Sequence, residues 1–178
     1  MRIEAVLKPA RAMALCALVL GLAGCAGAFK PSGEPSFYRS MATSDAELDA
    51  AAAASMISGY RRNNGLGAVA LDPQLMRMAQ VQARAMASKN RFEHDAAGAF
   101  NERLRTSGFD AKFAVENIGA GYHTLAEAFS GWRDSPPHRA NMLRNGVTKM
   151  GIAAVYAPGT KYKVFWALVL AAPDDHRG

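Results

Sequence analysis

The sequence predicts an α+β domain in which several helices precede a β-hairpin, and three observations support this. Between residues 73 and 89, apolar side chains recur on one face at helical spacing. Residues 147–157 and 162–171 are rich in β-branched and aromatic side chains, and Pro158-Gly159 separates them as a turn. The chain of 178 residues has the length of one domain with a short appendage.

Composition and charge exclude several classes of protein. Half of the residues are hydrophobic and 20% are charged, so wholesale disorder, collagen and coiled coil are excluded. The formal net charge is +6, but the basic residues are spread along the chain rather than clustered. We therefore expect no nucleic-acid partner.

The first two helices are predicted from the signals at their ends. A capping box at residues 44–47 is expected to open the first helix. That helix should end shortly after Arg61 and Arg62, which we expect to be solvated and to suit the helix dipole. An N-cap at Asp72 opens the second helix, which should run to Lys89.

The later elements follow from the same kind of signal. Residues 100–107 form a short third helix, and residues 114–118 form an additional extended piece. A second capping box opens a fourth helix over residues 124–133. Ser135 and the proline after it open a further helical turn, which continues to residue 143. Helices first and strands last are typical of a layered α+β domain.

The amino-terminal segment has the features of an export signal. Residues 1–24 combine a basic start, a short apolar stretch and small residues before Cys25. The sequence Leu22-Ala23-Gly24-Cys25 resembles the bacterial lipobox, which implies cleavage before Cys25 and lipidation of its thiol. An uncleaved membrane anchor and a plain secretory signal are the alternatives.

The remaining chain divides into three parts. Residues 25–43, which contain several Pro, Ser and Gly, are expected to form a flexible linker behind the lipidated cysteine. Residues 44–173 form the folded domain, and residues 174–178 form a tail. Because Cys16 leaves with the signal and Cys25 carries lipid, no thiol remains for a disulfide.

Two histidines and one carboxylate are the candidates for chemistry. His94 follows the second helix and His138 follows the fourth, so both can face a cleft. Glu116 interrupts an apolar extended stretch, where a carboxylate is costly to bury unless it is paired. Two imidazoles and a carboxylate can form an open Zn²⁺ site or a hydrogen-bonded acid/base cluster. Their spacing leaves both alternatives open, together with a purely structural role.

Three segments resemble the bacterial branch of the CAP superfamily, which also holds cysteine-rich secretory proteins, venom allergens and plant pathogenesis-related proteins. They are Glu116-Asn117-Ile118, the run from Trp132 to Leu143 that reads WRDSPPHRANML, and Met150-Gly151-Ile152-Ala153. The resemblance extends over about residues 45–171. It implies a three-layer α-β-α sandwich around a mixed, largely antiparallel sheet.

The resemblance also implies a cleft lined by two His and two Glu, which in some members binds Zn²⁺ or another divalent metal. His94, Glu116 and His138 match three of these four positions. The fourth position, where the second Glu is expected, is Ser135. Losing this carboxylate should weaken metal binding and disfavour a mechanism that uses two carboxylates. The predicted cleft thus contains all four residues, and the predicted metal ligands are the two histidines and Glu116.

Several of these residues have simpler interpretations. Ser135 is first an N-cap, and the alternative is a nucleophile with His138 as its base. Trp132 is expected in the core where a helix meets the sheet. Asn117 and Asn141 are expected to satisfy loop backbone rather than to bind ligand.

The predicted function is that of a lipid-anchored extracytoplasmic module of the bacterial cell envelope, on the outer membrane if the organism has one. Its cleft would bind a small ligand or a divalent metal such as Zn²⁺, and it would meet an envelope protein. The first alternative is a metal-dependent hydrolase in which Glu116 and His138 are catalytic. The second alternative is a structural envelope protein whose cleft is vestigial.

Overall fold

A computed structural model describes residues 33–174 of the chain. The predicted signal segment, Cys25 and the last four residues lie outside this range. After a short 3-10 helix at Ser36–Tyr38, the elements in chain order are α1 (Ala50–Asn63), β1 (Ala70–Leu71), α2 (Pro73–Lys89), α3 (Phe100–Thr106), β2 (Ala111–Ala120), α4 (Leu125–Asp134), α5 (Pro136–Met142), β3 (Lys149–Ala157) and β4 (Lys163–Pro173).

Four strands form one mixed sheet in the order β1-β3-β4-β2. The predicted hairpin is confirmed, since β3 and β4 pair antiparallel from Lys149 opposite Ala171 to Ala157 opposite Lys163. The predicted extended piece is strand β2, which pairs antiparallel with β4 and lies at one edge. β1 pairs parallel with β3 through two residues, and its pattern gave no strand prediction because it is so short.

Side chains of β4 alternate between two apolar layers, as expected for a strand that is covered on both faces. Val164, Trp166, Leu168 and Leu170 pack in a core with α1, α4 and α5. Phe165, Ala167, Val169 and Ala171 pack in a second core with α2. The three-layer α-β-α sandwich is therefore confirmed.

Helix α2 lies very close to strand β3, and Gly151 makes that approach achievable. A Cβ added at Gly151 would lie 2.0 Å from the carbonyl carbon of Leu75. Only a residue without a side chain allows the two backbones to approach so closely. This contact fixes the position of α2, and α2 leads directly into the loop that carries His94.

Helix α1 begins later than predicted. Residues 44–49 are not helical, and the N-cap is Asp49, whose carboxylate accepts a hydrogen bond from the amide of Ala52. The capping box predicted at residues 44–47 is therefore wrong. Asp49 also accepts a hydrogen bond from Ser36 Oγ at 2.6 Å, which holds its carboxylate in place and lowers its pKa. A tertiary contact thus determines which of two local signals becomes the cap.

The folded domain also begins earlier than the predicted linker allows. Met41 is buried among the α1 and α4 side chains, and Phe37 packs against the same core. The amide of Met41 donates to the carbonyl of His123 at 2.6 Å. The segment from Ser36 to Ala42 therefore belongs to the domain, although its Pro, Ser and Gly neighbours predicted a linker up to Thr43. Between residues 33 and 174, no helix combines the length and apolar character needed to cross a bilayer.

Arg61, predicted to be solvated, is instead only 1% exposed. Its guanidinium donates hydrogen bonds to four backbone carbonyls, and burial lowers its pKa. Those carbonyls belong to Gly67, Met142, Arg144 and Val147. A signal for this burial was present, since Ala53, Ile57 and Arg61 are spaced by four residues and share one helix face.

Candidate functional site

Glu116 lies in the middle of the edge strand β2, and its side chain is buried on the α2 face of the sheet. It stands opposite Val169, which belongs to the core formed with α2. Only 3% of the Glu116 side chain is exposed. An ionised carboxylate at such a position requires a cation or several donors, and its surroundings supply both.

The cation is Arg103 of α3, which sequence reasoning missed. Its Nη2 donates to both carboxylate oxygens of Glu116, at 3.0 and 2.7 Å. Arg103 is itself buried. A signal could have found it, because Phe100, Arg103 and Leu104 share one face of α3 at spacings of three and four. An arginine on an apolar stripe indicates a buried partner.

Arg103 also holds the loop that carries His94. Its Nη2 donates to the carbonyl of His94 at 2.9 Å, and its Nε donates to the carbonyl of Gly98 at 3.0 Å. One guanidinium therefore binds both the strand that carries Glu116 and the loop that carries His94. Arg103 is a positioning residue for the site.

Helix α2 holds the same loop from its other side. The side-chain amide of Gln82 donates to the carbonyl of Glu93 at 2.8 Å and accepts from the amide of Ala97 at 3.2 Å. Lys89 Nζ donates to the carbonyl of Ala96 at 2.7 Å. Because three long side chains bind its backbone, the loop presents His94 in one defined position.

His94 lies between the buried carboxylate and solvent. Its Nδ1 is 3.3 Å from Glu116 Oε2, while 56% of its side chain remains exposed. A carboxylate beside Nδ1 favours the proton on that nitrogen. Nε2 is then left as an acceptor on the exposed side of the ring.

His138 approaches from the opposite layer, on helix α5. The side-chain amide of Asn117 donates to the carbonyl of His138 at 2.9 Å. Asn141 donates to the carbonyl of Glu116 at 3.1 Å and to Asn117 Oδ1 at 2.9 Å. Both asparagines satisfy backbone groups as predicted. Through them, α5 is fastened to the edge strand that carries Glu116.

His138 is electrostatically linked to His94. Burial is the larger cause that lowers the pKa of His138, and the charge on His94 lowers that pKa further. The structure brings His94 into contact with Glu116 and fastens the helix that carries His138 to the same strand. His138 is held neutral more firmly than an ordinary histidine.

Ser135 stands at the junction of α4 and α5. It occupies the N-cap position of α5 as predicted, but its side chain makes no capping hydrogen bond. The second predicted capping box is confirmed at Thr124 and Glu127, at the start of α4. Trp132 is buried as predicted, and its Nε1 donates to the carbonyl of Ile118 at 2.9 Å.

The donor set does not fit a three-ligand Zn²⁺ site. Both oxygens of Glu116 accept from Arg103, so the carboxylate is already neutralised. Within the described part of the chain, no three His, Cys, Asp or Glu side chains are grouped to hold a metal ion. Two imidazoles remain, which is fewer than the three protein ligands of a typical open zinc site. A carboxylate that bonds His Nδ1 suits an outer-shell role instead.

Comparisons with known proteins place this architecture in a family. The family described as "CAP: Cysteine-rich secretory protein family" matches residues 54–170. The protein YkwD of Bacillus subtilis strain 168 is 29% identical over 102 residues, which cover 56% of this chain and 40% of YkwD.

Solved structures agree with the family match. An extracellular protein containing a SCP domain from Bacillus anthracis superposes with a TM-score of 0.60 and 26% identity, over 68% of this chain and 39% of that one. An outer surface protein from Borrelia burgdorferi superposes with a TM-score of 0.64 and 17% identity, over 71% of this chain and 93% of that one, and shares the fold.

The chain spans about two fifths of the length of the two Bacillus relatives. Its match to the family includes most of the sheet and the three candidate site residues His94, Glu116 and His138. The chain belongs to the CAP family of cysteine-rich secretory proteins.

Proposed function

We propose that this protein is a ligand-binding module of the bacterial cell envelope, anchored by lipid on Cys25. One observation supports the binding function above all. The His94 ring contacts a buried carboxylate, and three side chains hydrogen-bond to the backbone of the loop that carries it. More than half of the His94 side chain nevertheless faces solvent. If His94 had only a structural role, we would expect a ring held in one orientation to be buried.

The chemistry of the cleft follows from the Glu116–His94 hydrogen bond. With the Nδ1 proton directed to the carboxylate, Nε2 of His94 accepts a hydrogen bond from a ligand. His138, whose pKa is lowered by burial, supplies a second imidazole from helix α5. The cleft therefore suits a small ligand that donates hydrogen bonds rather than an anion that needs a cationic wall.

A divalent metal held by His94 and His138 is the second candidate. The hydrogen bond from Nδ1 to Glu116 favours it, since carboxylates orient metal-binding imidazoles in this way. With two protein ligands, the affinity would be weak. Hydrolysis has less support, because Glu116 is bonded to Arg103 and is not a free base.

The envelope location rests on the lipobox-like sequence before Cys25. Two proteins of similar structure agree with it, since one is an extracellular protein and the other an outer surface protein. Replacing Cys25 by Ser should abolish incorporation of radiolabelled palmitate and release the protein from the detergent phase. Unchanged incorporation would refute the anchor.

The binding proposal is tested on the full chain in mild detergent, labelled with ¹⁵N at its histidines. The probes are Zn²⁺ and three neutral donors, namely acetamide, phenol and N-acetylglucosamine. We expect at least one probe to shift the His94 Nε2 resonance in a saturable manner. His94→Gln and His138→Gln should lose this binding, whereas His123→Gln, a change at an exposed histidine outside the cleft, should retain it.

The outcomes separate the candidates. A donor that binds while Zn²⁺ does not supports the ligand-binding module. Zn²⁺ that binds and is lost in both cleft variants supports the metal. Equal responses in His94→Gln and in the wild type, or no saturable response to any probe, would overturn the proposal and favour a vestigial cleft.

A further inference from the structure

A second concave site lies between α2 and α3. This α2–α3 pocket has a volume of about 300 Å³. Its apolar wall is formed by Met78, Val81 and Ala97, and Arg77 and Arg103 provide its cationic groups. Val81 is 54% exposed, so its apolar side chain is accessible to a ligand. The pocket therefore offers apolar surface beside positive charge.

Arg103 has an unused donor at this site. The guanidinium uses its Nε and Nη2 for the loop carbonyls and for Glu116. Because the group is planar, Nη1 projects from the other side, away from these partners. Nη1 is buried, and among residues 33–174 it is the one buried side-chain nitrogen or oxygen without a hydrogen-bond partner. A buried donor left unpaired is unfavourable, so a ligand acceptor bound to it would gain a hydrogen bond.

Charge around the pocket favours an anion. The charge of Arg103 is balanced by Glu116, and the neighbouring Arg105 is paired with Glu102 on the surface. Arg77 lies on the exposed side of α2 and adds a positive charge to the pocket wall. A carboxylate would satisfy both Arg77 and the free Nη1 of Arg103.

We infer that the α2–α3 pocket binds a small organic carboxylate with an apolar body. The carboxylate lies between Arg77 and Nη1 of Arg103, and the apolar body covers Met78 and Val81. Arg103 is thereby shared, with one edge of its guanidinium on the cleft residues and the opposite nitrogen on the ligand. This site does not depend on the function proposed for the His94 cleft, because none of its ligand contacts involves a histidine.

Benzoate is the probe, with benzamide as its neutral counterpart of the same shape. The full chain in mild detergent is titrated with each, and backbone amide resonances are followed by NMR. We expect saturable benzoate shifts centred on Val81 and Ala97, and at least tenfold weaker binding of benzamide. Arg77→Ala should weaken benzoate binding about tenfold. Arg84→Ala, on the same helix but outside the pocket, should leave it unchanged.

Three results would overturn the inference: equal affinity for benzamide and benzoate, equal weakening by both arginine variants, or shifts centred away from α2 and α3. Both variants alter exposed arginines, so the fold should persist. A histidine variant of the cleft should bind benzoate as the wild type does. Failure of the cleft proposal and failure of this inference are therefore separate results.

Discussion

Arg61 and Arg103 are both buried arginines, one in each helical layer, and they differ in what they bind. Arg61 donates to four backbone carbonyls and meets no carboxylate among them. Arg103 donates to two carbonyls and to the carboxylate of Glu116. The first joins the end of α1 to the loop after α5, and the second fixes a carboxylate beside an exposed imidazole.

The difference shows that burial of a charge does not by itself identify a site. Carbonyls cannot change protonation state, so the Arg61 cluster can only hold backbone together. Glu116 instead binds the imidazole of His94, which is exposed to solvent, so the contacts of Arg103 lie where a ligand can reach them. The partner of a buried cation, more than its burial, distinguishes a structural contact from a functional one.

The largest effect should come from removing Arg61. Arg61→Met leaves four carbonyls without their donor, two of them in buried hydrogen bonds, and we expect a loss of about 4 kcal/mol in the free energy of unfolding. Urea denaturation followed by circular dichroism measures it. Arg62→Met, at the adjacent exposed position, should change stability by less than about 0.5 kcal/mol. Equal losses in the two variants would contradict the structural role assigned to Arg61.

Removing Arg103 should cost somewhat less but should also disturb the cleft. Arg103→Met leaves the buried Glu116 carboxylate without its cation. We expect a loss of about 3 kcal/mol in the free energy of unfolding. The double variant Arg103→Met/Glu116→Leu should recover most of it, because it removes the uncompensated charge as well. The ¹⁵N resonances of His94 should shift in both. A double variant less stable than Arg103→Met would refute the pairing.

Neutralising Glu116 should have a smaller effect on stability and a clear one on His94. Glu116→Gln keeps an oxygen acceptor but loses the charge. We therefore expect a loss of about 1–2 kcal/mol in the free energy of unfolding. His94 should lose its preference for the proton on Nδ1, which the ¹⁵N shifts of the ring report. Glu102→Gln, in the exposed pair with Arg105, is the control and should alter neither quantity. An unchanged His94 tautomer in Glu116→Gln would contradict the claim that the Glu116 carboxylate determines it.

The smallest expected effect is a dependence of the free energy of unfolding on pH, caused by His138. Because burial lowers the pKa of His138, the unfolded chain takes up a proton at a higher pH than the folded chain does. Stability should therefore fall as pH decreases from about 6.5 toward the lowered pKa of the folded state. Since His138 is partly exposed, its share should stay below about 1 kcal/mol.

Urea denaturation at pH 7.5 and pH 5.5 measures this dependence. His138→Gln should reduce the difference between the two conditions, whereas His123→Gln at an exposed histidine should leave it as in the wild type. The same difference in the wild type and in His138→Gln would contradict the lowered pKa of His138. Arg61→Met should not change the pH dependence, because its carbonyl partners do not titrate.

The parts of the fold with repetitive local patterns could be predicted from the sequence. Helix α2 begins and ends at the predicted residues, and the β3–β4 hairpin and the Thr124 capping box are also as predicted. The start of α1 could not be, because Asp49 gains its advantage from Ser36, which is 13 positions away. A prediction from the local sequence compares candidate N-cap residues only by their neighbouring residues.

Of the site, sequence reasoning supplied His94, Glu116 and His138 but not the cation that binds them together. Arg103 pairs with a residue 13 positions away, and three of the four carbonyls that bind Arg61 are more than 80 positions away. No pattern of neighbouring residues identifies such distant partners. The spacing of each arginine on an apolar helix face was nevertheless visible, and it should be read as a sign of buried pairing.

The segment from Ser36 to Ala42 has a mechanical consequence. Tension applied from the amino-terminal side would first load the Ser36–Asp49 hydrogen bond and then the contact between Met41 and His123. These contacts are few, while the β3–β4–β2 sheet behind them is continuous. The segment from Ser36 to Ala42 would detach before the sheet separates, so the residues around His94 would keep their arrangement under a pull from this side.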